Sequence, residues 1–213
     1  MSHSAVIPLF SRRSRRQAFL GDDLALVLAL RAGDGGARAE LFDRYGHHVE
    51  RVLVNVLGVD AEIPDLLQEV FARALASIRS LDDGARLKAW LTSIAVFTAR
   101  GCIRSRQRRR WLGLAPPETV NQVPHAGVPQ EVREALRCTY EVLTRMPTDE
   151  RIVFSLRYVS GMELAELAQV CRVSLATIKR RIGKAQQRFL TLARHYPELG
   201  PWIEEGRRWA DPE

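Results

Sequence analysis

A chain of 213 residues has room for one large domain or two small ones, and 46% hydrophobic with 27% charged residues describes a folded protein rather than a disordered or membrane-embedded one. A formal net charge of +7 points toward a polyanionic partner, although a merely soluble basic protein would show it too. Cys102, Cys138 and Cys171 are odd in number and far apart, with neither zinc spacing nor a disulfide framework, so a reducing cytosol is expected.

No apolar run approaches the roughly 20 residues that span a bilayer, so no membrane insertion is expected. The start, with Arg12, Arg13, Arg15 and Arg16, lacks the apolar centre and cleavage site of a signal peptide, which again places the protein in the cytoplasm. Residues 1–21 are polar, basic and aperiodic, and are expected to form a mobile arm.

Helical periodicity begins at Asp22. Asp22 or Asp23 caps a short helix through Leu30, which Gly33, Asp34, Gly35 and Gly36 are expected to end. Leu41, Phe42, Tyr45, Val49, Val52, Leu53, Val56 and Leu57 then share one face up to Gly58. Pro64 suits a first helical turn, followed by a stripe of Leu66, Leu67, Val70, Phe71, Ala74, Leu75 and Ile78. A fourth helix starts near Arg86 and carries Leu87, Trp90, Leu91, Ile94 and Ala95. No stretch alternates with period two, so the fold class is all-α.

Residues 112–130 contain four prolines and two glycines, a composition that breaks helices and has little to pack; this is a linker. Helical patterning resumes from about Glu131 through Arg145, and Thr148, Asp149 and Glu150 supply the next helix start, with the acids favoured by the helix dipole. The expected architecture is two small helical domains on a proline-rich tether.

Residues 161–185, GMELAELAQVCRVSLATIKRRIGKA, carry the strongest motif. Leu164, Leu167 and Ala168 line the inner face of one short helix, Cys171, Arg172 and Val173 form a turn, and Ser174 caps a second helix with Ile178 and Ile182 inward. This is a helix-turn-helix, whose second helix enters a major groove. Its outward positions are Lys179, Arg180, Arg181 and Lys184, and residues 172–188 hold six basic side chains and no acid. Basic residues on an exposed helix are usually a solvated face; turn and one-sided charge together favour DNA.

The second motif is a charge asymmetry. Residues 22–95 hold twelve acids and eight bases, whereas residues 96–112 hold Arg100, Arg104, Arg106, Arg108, Arg109 and Arg110 with no acid. A basic rod projecting from an acidic body suits a nucleic-acid backbone, held through counterion release. Cations are also stabilised at helix C-termini, but six exceed what that modest effect requires. His47 and His48 are adjacent, and no cluster has ligand spacing; both are expected at the surface, with no metal, no cofactor and no catalytic residue. No phosphate loop or nucleophile motif appears, which argues against an enzyme.

The runs DLLQEVFARAL (65–75) and LKAWLTSIA (87–95), with the arginine strip after them, resemble region two of the extracytoplasmic-function sigma factors of bacterial RNA polymerase. Residues 143–185 resemble region four of the same family, and the likeness covers roughly residues 22–195. It implies region two at 22–112, a linker at 113–130, region four at 131–195 and a C-terminal tail at 196–213. It also implies a protein that binds core RNA polymerase, recognises promoter DNA and initiates transcription. An anti-sigma factor is a further partner open to such a protein. Asp65, Gln68 and Glu69 would dock on polymerase, with Trp90, Ile94 and Ala95 as scaffold. The strip from Arg100 to Arg110 would lie along the melted edge of the minus-ten element. Lys179, Arg180 and Lys184 would read the minus-thirty-five element, with Thr177 and Arg181 contacting phosphate or packing the helix.

This chain departs from the family pattern at Phe97 and Gly101, where Asn and Asp are common, at Arg172, where glycine is frequent, and at Gly183, where a larger side chain is often found. Its linker holds a single acid, Glu118, where family linkers are often more acidic. The alternative reading is a stand-alone dimeric helix-turn-helix regulator, which explains 161–185 but gives no reason for the arginine strip. Trp202 and Trp209 would anchor a final helix on region four or mark a partner site.

Overall fold

Asp22 accepts a hydrogen bond from the Ala25 N–H at 2.9 Å, satisfying one of the donors left free at a helix start, and α1 runs Asp23–Arg31. The computed structural model describes residues 21–114 and 129–206, so the N-terminal arm, most of the linker and Trp209 lie outside the described residues. Gly33 makes the turn after α1 with φ 84°, but Asp34, Gly35 and Gly36 do not end that helix; they start the next one. Asp34 caps it by accepting from the N–H groups of Gly36 and Ala37 at 2.6 and 3.1 Å, and α2 runs Gly35–Leu57. An aspartate cap outweighs the poor propensity of two glycines in a first turn, where few helical bonds depend on them.

Helix α3, Ile63–Ser77, has its proline in the first turn, where the missing N–H costs nothing. Two single 3₁₀ turns, Ile78–Ser80 and Gly84–Arg86, lead into α4, Leu87–Trp111. Its 25 residues form one unbroken helix of about 37 Å, so the arginine strip does extend from the segment carrying Ala95. Helices α2, α3 and α4 pack on one another, and α1 lies across α2. Leu41, Leu53, Val70, Leu91, Ala95 and Ile103 are buried between them, and each large apolar side chain stabilises the bundle by about 1.5–3 kcal/mol. Phe42 and Phe71 meet there, with ring centroids 5.1 Å apart.

The second unit contains α5, Gln130–Thr144, and α6, Thr148–Phe154, which continues into a π-helical turn at Ser155–Val159. Helices α7, Leu164–Cys171, and α8, Leu175–Ala193, follow, then a 3₁₀ turn at Pro197–Leu199 and α9, Gly200–Gly206. Helix α8 packs against α5, α6 and α7, with the Phe154 and Phe189 rings stacked at 4.3 Å. Part of the expected tail is folded: Leu199 is buried in the 3₁₀ turn that packs on α5, and Ile203 packs on the core. No strand occurs among the described residues. The two units do not stand apart on their tether: α4 packs against α6 and α7, and the π-turn packs on α2.

Candidate nucleic-acid and docking interfaces

The helix-turn-helix forms as its sequence dictates. Ser174 caps α8 through its hydroxyl, which accepts from the Thr177 N–H at 3.2 Å. Ile178 is buried and Ile182 half-buried against the core, while Leu167 fills the inner face of α7. Cys171 is the last residue of α7 rather than part of the turn, which Arg172 and Val173 make, with Arg172 in the left-handed region at φ 55° and ψ 48°. That conformation costs a residue with a Cβ on the order of 1–2 kcal/mol, which explains why glycine suits this position. Lys179, Arg180 and Lys184 are exposed on the outer face of α8. Arg181 and Thr177 are half-buried; Arg181 lies 3.6 Å from Asp149, and the Thr177 hydroxyl pairs with Ser174 at 2.9 Å. Gly183 faces open space.

The arginine strip divides in two. Arg104, Arg108 and Arg109 are exposed, but Arg106 is 8% exposed and turned inward, 2.7 Å from Asp60 and 3.2 Å from Glu62. Arg106 therefore ties α4 to the α2–α3 connection and is not part of an outward rail. Arg109 reaches Glu62 at 3.9 Å from the edge of the same cluster, and Arg110 is half-buried. Arg100 is half-buried and bonds Asp149 of α6 at 3.1 Å.

On α3, Asp65, Gln68 and Glu69 are exposed one turn apart, opposite the buried Leu66 and Val70. Glu69 also holds Arg73 at 2.7 Å. Phe97 is 57% exposed on α4, with the Arg73 guanidinium 5.3 Å from its ring centroid. A cleft of about 310 Å³ beside Phe97 is lined by Arg73 of α3, Arg100 of α4 and Arg172 of the turn after α7. A Cβ added at Gly101 would meet nothing within 4 Å, so this departure leaves a bare stretch on the same helix. Trp90 and Ile94 pack at the edge of the core and Ala95 is fully buried, the scaffold positions expected of them.

His47 is exposed and His48 half-buried: the His48 Nε2 pairs with the Thr92 hydroxyl at 2.8 Å and joins α2 to α4. Burial, then Lys88 and Arg51, lower its pKa and favour the neutral ring. Burial also raises the thiols, Cys102 and Cys138 to about 11, which keeps them protonated and unreactive near neutral pH. The fold brings Cys138, Glu134 and Glu198 together, their ligand atoms within 4.8 Å of one another. The four-residue spacing on α5 was visible in sequence, but the approach of Glu198 from the turn before α9 was not. Arg137 pairs with Glu134 and the thiol is held neutral, so this cluster is poorly suited to a cation.

A helix-turn-helix with an exposed basic face, joined to a helical body that presents an acidic face and a basic helix end, defines a two-part transcription protein. A family model described as Sigma-70 region 2 matches residues 41–110, and one described as Sigma-70, region 4 matches residues 136–188. The ECF RNA polymerase sigma factor SigX of Bacillus subtilis (strain 168) is 30% identical over 164 residues, covering 75% of this chain and 82% of SigX. The ECF RNA polymerase sigma-E factor of Escherichia coli (strain K12) is 25% identical over 174 residues, covering 78% of this chain and 91% of its own.

Two solved structures share the fold. CnrH in complex with the cytosolic domain of CnrY has a TM-score of 0.55 at 20% identity, covering 82% of this chain and 98% of that one. The sigma factor RpoE in complex with the anti-sigma factor NepR from Bartonella quintana has a TM-score of 0.51 at 22% identity, covering 80% and 93%. The chain belongs to the extracytoplasmic-function sigma factors of RNA polymerase, and the stand-alone regulator reading gives way to this one. Its function is to bind core polymerase, recognise promoter DNA and initiate transcription.

Proposed function

We propose a division of this work among three surfaces. Asp65, Gln68 and Glu69 on α3 dock on core polymerase. Arg104, Arg108 and Arg109 on α4 hold promoter phosphates near the minus-ten element, with Arg100 and Arg110 at the edges of that surface. Lys179, Arg180 and Lys184 on α8 read the minus-thirty-five element, with Thr177 and Arg181 beside them. Arg106 is left out because it serves the fold. The observation that carries the reading is the separation of charge: the acidic side chains of α3 and the basic ones of α8 are each exposed, on different helices of different units.

The protein works in the cytoplasm with the polymerase; among the described residues no helix is long and apolar enough to cross a membrane. An anti-sigma partner belongs to the same reading, supported by the fold relative solved with the anti-sigma factor NepR. No step of this work calls for a cofactor or a catalytic residue.

Co-purification with core polymerase followed by run-off transcription tests the assignment. Asp65→Arg with Glu69→Arg reverses the charge of an exposed face without touching the core. The variant is expected to keep the helical circular dichroism of the wild type, to lose at least tenfold in core affinity, and to lose transcription with it. Unchanged core affinity in a folded variant would remove α3 from the docking surface.

A further inference from the structure

The side of α4 that the core leaves uncovered carries a regular pattern. Phe97, Gly101, Arg104, Arg108 and Trp111 recur at intervals of four, three, four and three residues, and all five are exposed. At 3.6 residues per turn they fall within about 80° of one another, opposite the buried Ala95, Ala99 and Arg106. The stripe is cationic in its middle and aromatic at both ends. Phe97 is 57% and Trp111 84% exposed, on a side-chain type that ordinarily buries most of its area.

The two rings are separated by about 21 Å of helix. Asp60 and Glu62 pair with Arg106 and Arg109, which lie off this face, and residues 96–112 hold no acid. Arg104 and Arg108 therefore present their charge to solvent between the rings. At the Phe97 end the Arg73 guanidinium of α3 adds a further cation, 5.3 Å from the ring centroid, and the side chains of Ser77 and Ser93 line the cleft beside it. Gly101 opens a gap in the stripe one turn from Phe97, since an added Cβ would meet nothing within 4 Å. Glycine inside a helix weakens it, and no packing contact requires one here.

A row of arginines suits duplex and single-stranded DNA alike. Exposed aromatic rings discriminate between them. In a closed duplex the face of each base is covered by its neighbours in the stack, whereas an unpaired strand offers base faces on which aromatic side chains stack. Two rings at the ends of a cationic line thus match an unpaired strand better than a closed duplex.

We propose that this stripe is a clamp for a single DNA strand, with Trp111 stacking on an unpaired base at one end and Phe97 at the other. Arg104 and Arg108 hold phosphates between them, and the gap at Gly101 admits a nucleotide against the helix. At roughly 3.4 Å per stacked nucleotide, the span corresponds to about six nucleotides. The inference rests on the reading of Arg104 and Arg108 as phosphate contacts. It adds the strandedness and length of the ligand, and gives Trp111, Phe97 and Gly101 a role that reading leaves open.

The test uses the full chain at low salt with labelled oligothymidylates of three to twelve nucleotides and a twelve-base-pair duplex, read by fluorescence anisotropy. Wild-type affinity for the single strand is expected to rise with length and level off near about six nucleotides. Trp111→Ala and Phe97→Ala should each weaken single-strand binding at least about fivefold, and duplex binding less than about twofold, with the salt slope unchanged. Trp111→Phe, which keeps a ring, should bind close to wild type. Gly101→Leu should raise the thermal midpoint, as a better helix former, and yet weaken single-strand binding by filling the gap. That stabilising variant keeps the test decisive if circular dichroism shows that an alanine variant has lost its helices. Trp111→Ala or Gly101→Leu binding the strand as wild type does, or Trp111→Ala losing duplex and strand equally, overturns the proposal. So does Trp111→Phe binding as weakly as Trp111→Ala. A Trp111→Ala chain that loses affinity for core polymerase while keeping the strand places the ring on polymerase and overturns it too. Failure of the phosphate reading shows separately, as an unchanged salt slope when Arg104 and Arg108 are both changed to Gln.

Discussion

Arg106 and Arg108 are two residues apart on one helix and do opposite work. The Arg106 side chain is 10% exposed between Asp60 and Glu62, and Asp60 is itself largely covered. Replacing Arg106 by Gln leaves the covered Asp60 carboxylate without this cation, and the expected cost is about 1–3 kcal/mol, the range for leaving a charged partner poorly satisfied. Arg104→Gln and Arg108→Gln should change stability by less than about 0.5 kcal/mol, as exposed substitutions do. Urea unfolding of the three single variants checks the contrast; equal destabilisation would mean that Arg106 is as free as its neighbours.

His48 gives a pH dependence of definite sign. Its pKa is lowered in the folded protein, so the unfolded chain binds the proton more readily. The stability that the neutral ring contributes is present in full above the ordinary histidine value of about 6.5, and is lost as pH falls below it toward the lowered folded value. Wild type should therefore lose more stability between pH 7 and pH 5.5 than His48→Gln, which does not titrate. Chemical unfolding at the two pH values checks this, and parallel losses in both proteins would deny His48 the role.

At the scale of elements, α4 and α8 show how one helix serves both packing and binding. Helix α4 buries Leu91, Ala95 and Ile103 on its inner side and leaves Arg104, Arg108 and Arg109 outside. Arginines so placed meet phosphates rather than base edges, and each lost phosphate contact flattens the slope of log affinity against log salt by about 0.9 on duplex or about 0.7 on a melted strand. The variant with Arg104, Arg108 and Arg109 changed to Gln is expected to show this flattening in holoenzyme–promoter binding. Core affinity should be unaffected, because α3 is untouched. An identical slope would reduce these arginines to a solvated helix end. Helix α8 works through its turn: Arg172 accepts a left-handed backbone so that Ser174 can cap, and the cap sets where Lys179, Arg180 and Lys184 emerge.

At the scale of the whole molecule, the helices and the helix-turn-helix were legible because local spacing decides them. The stripe from Leu41 to Leu57, the break before Pro64 and the Ser174 cap are all short-range signals. The start of α2 was misplaced because glycines read as a stop when the aspartate before them is not seen capping the next helix. The candidate site was legible only in part. Sequence marked all six arginines of the strip alike, since the partners that separate Arg106 from Arg108 lie some 45 residues away, at Asp60 and Glu62. The half-burial of His48 was missed for the same reason, its partner Thr92 being on another helix.

What the sequence determined by itself was the all-helical class, the two motifs and their order, because periodicity, capping and charge runs act within a few turns of chain. What only the tertiary structure decided was which charges face water and which face one another. A carboxylate such as Asp149, read in sequence as a favourable first-turn acid, gains its partners Arg100 and Arg181 only when α4, α6 and α8 come together. Nor does any local pattern show that the Arg151 guanidinium ends on carbonyls of α2, because backbone oxygens are alike at every position until the fold leaves particular ones unpaired.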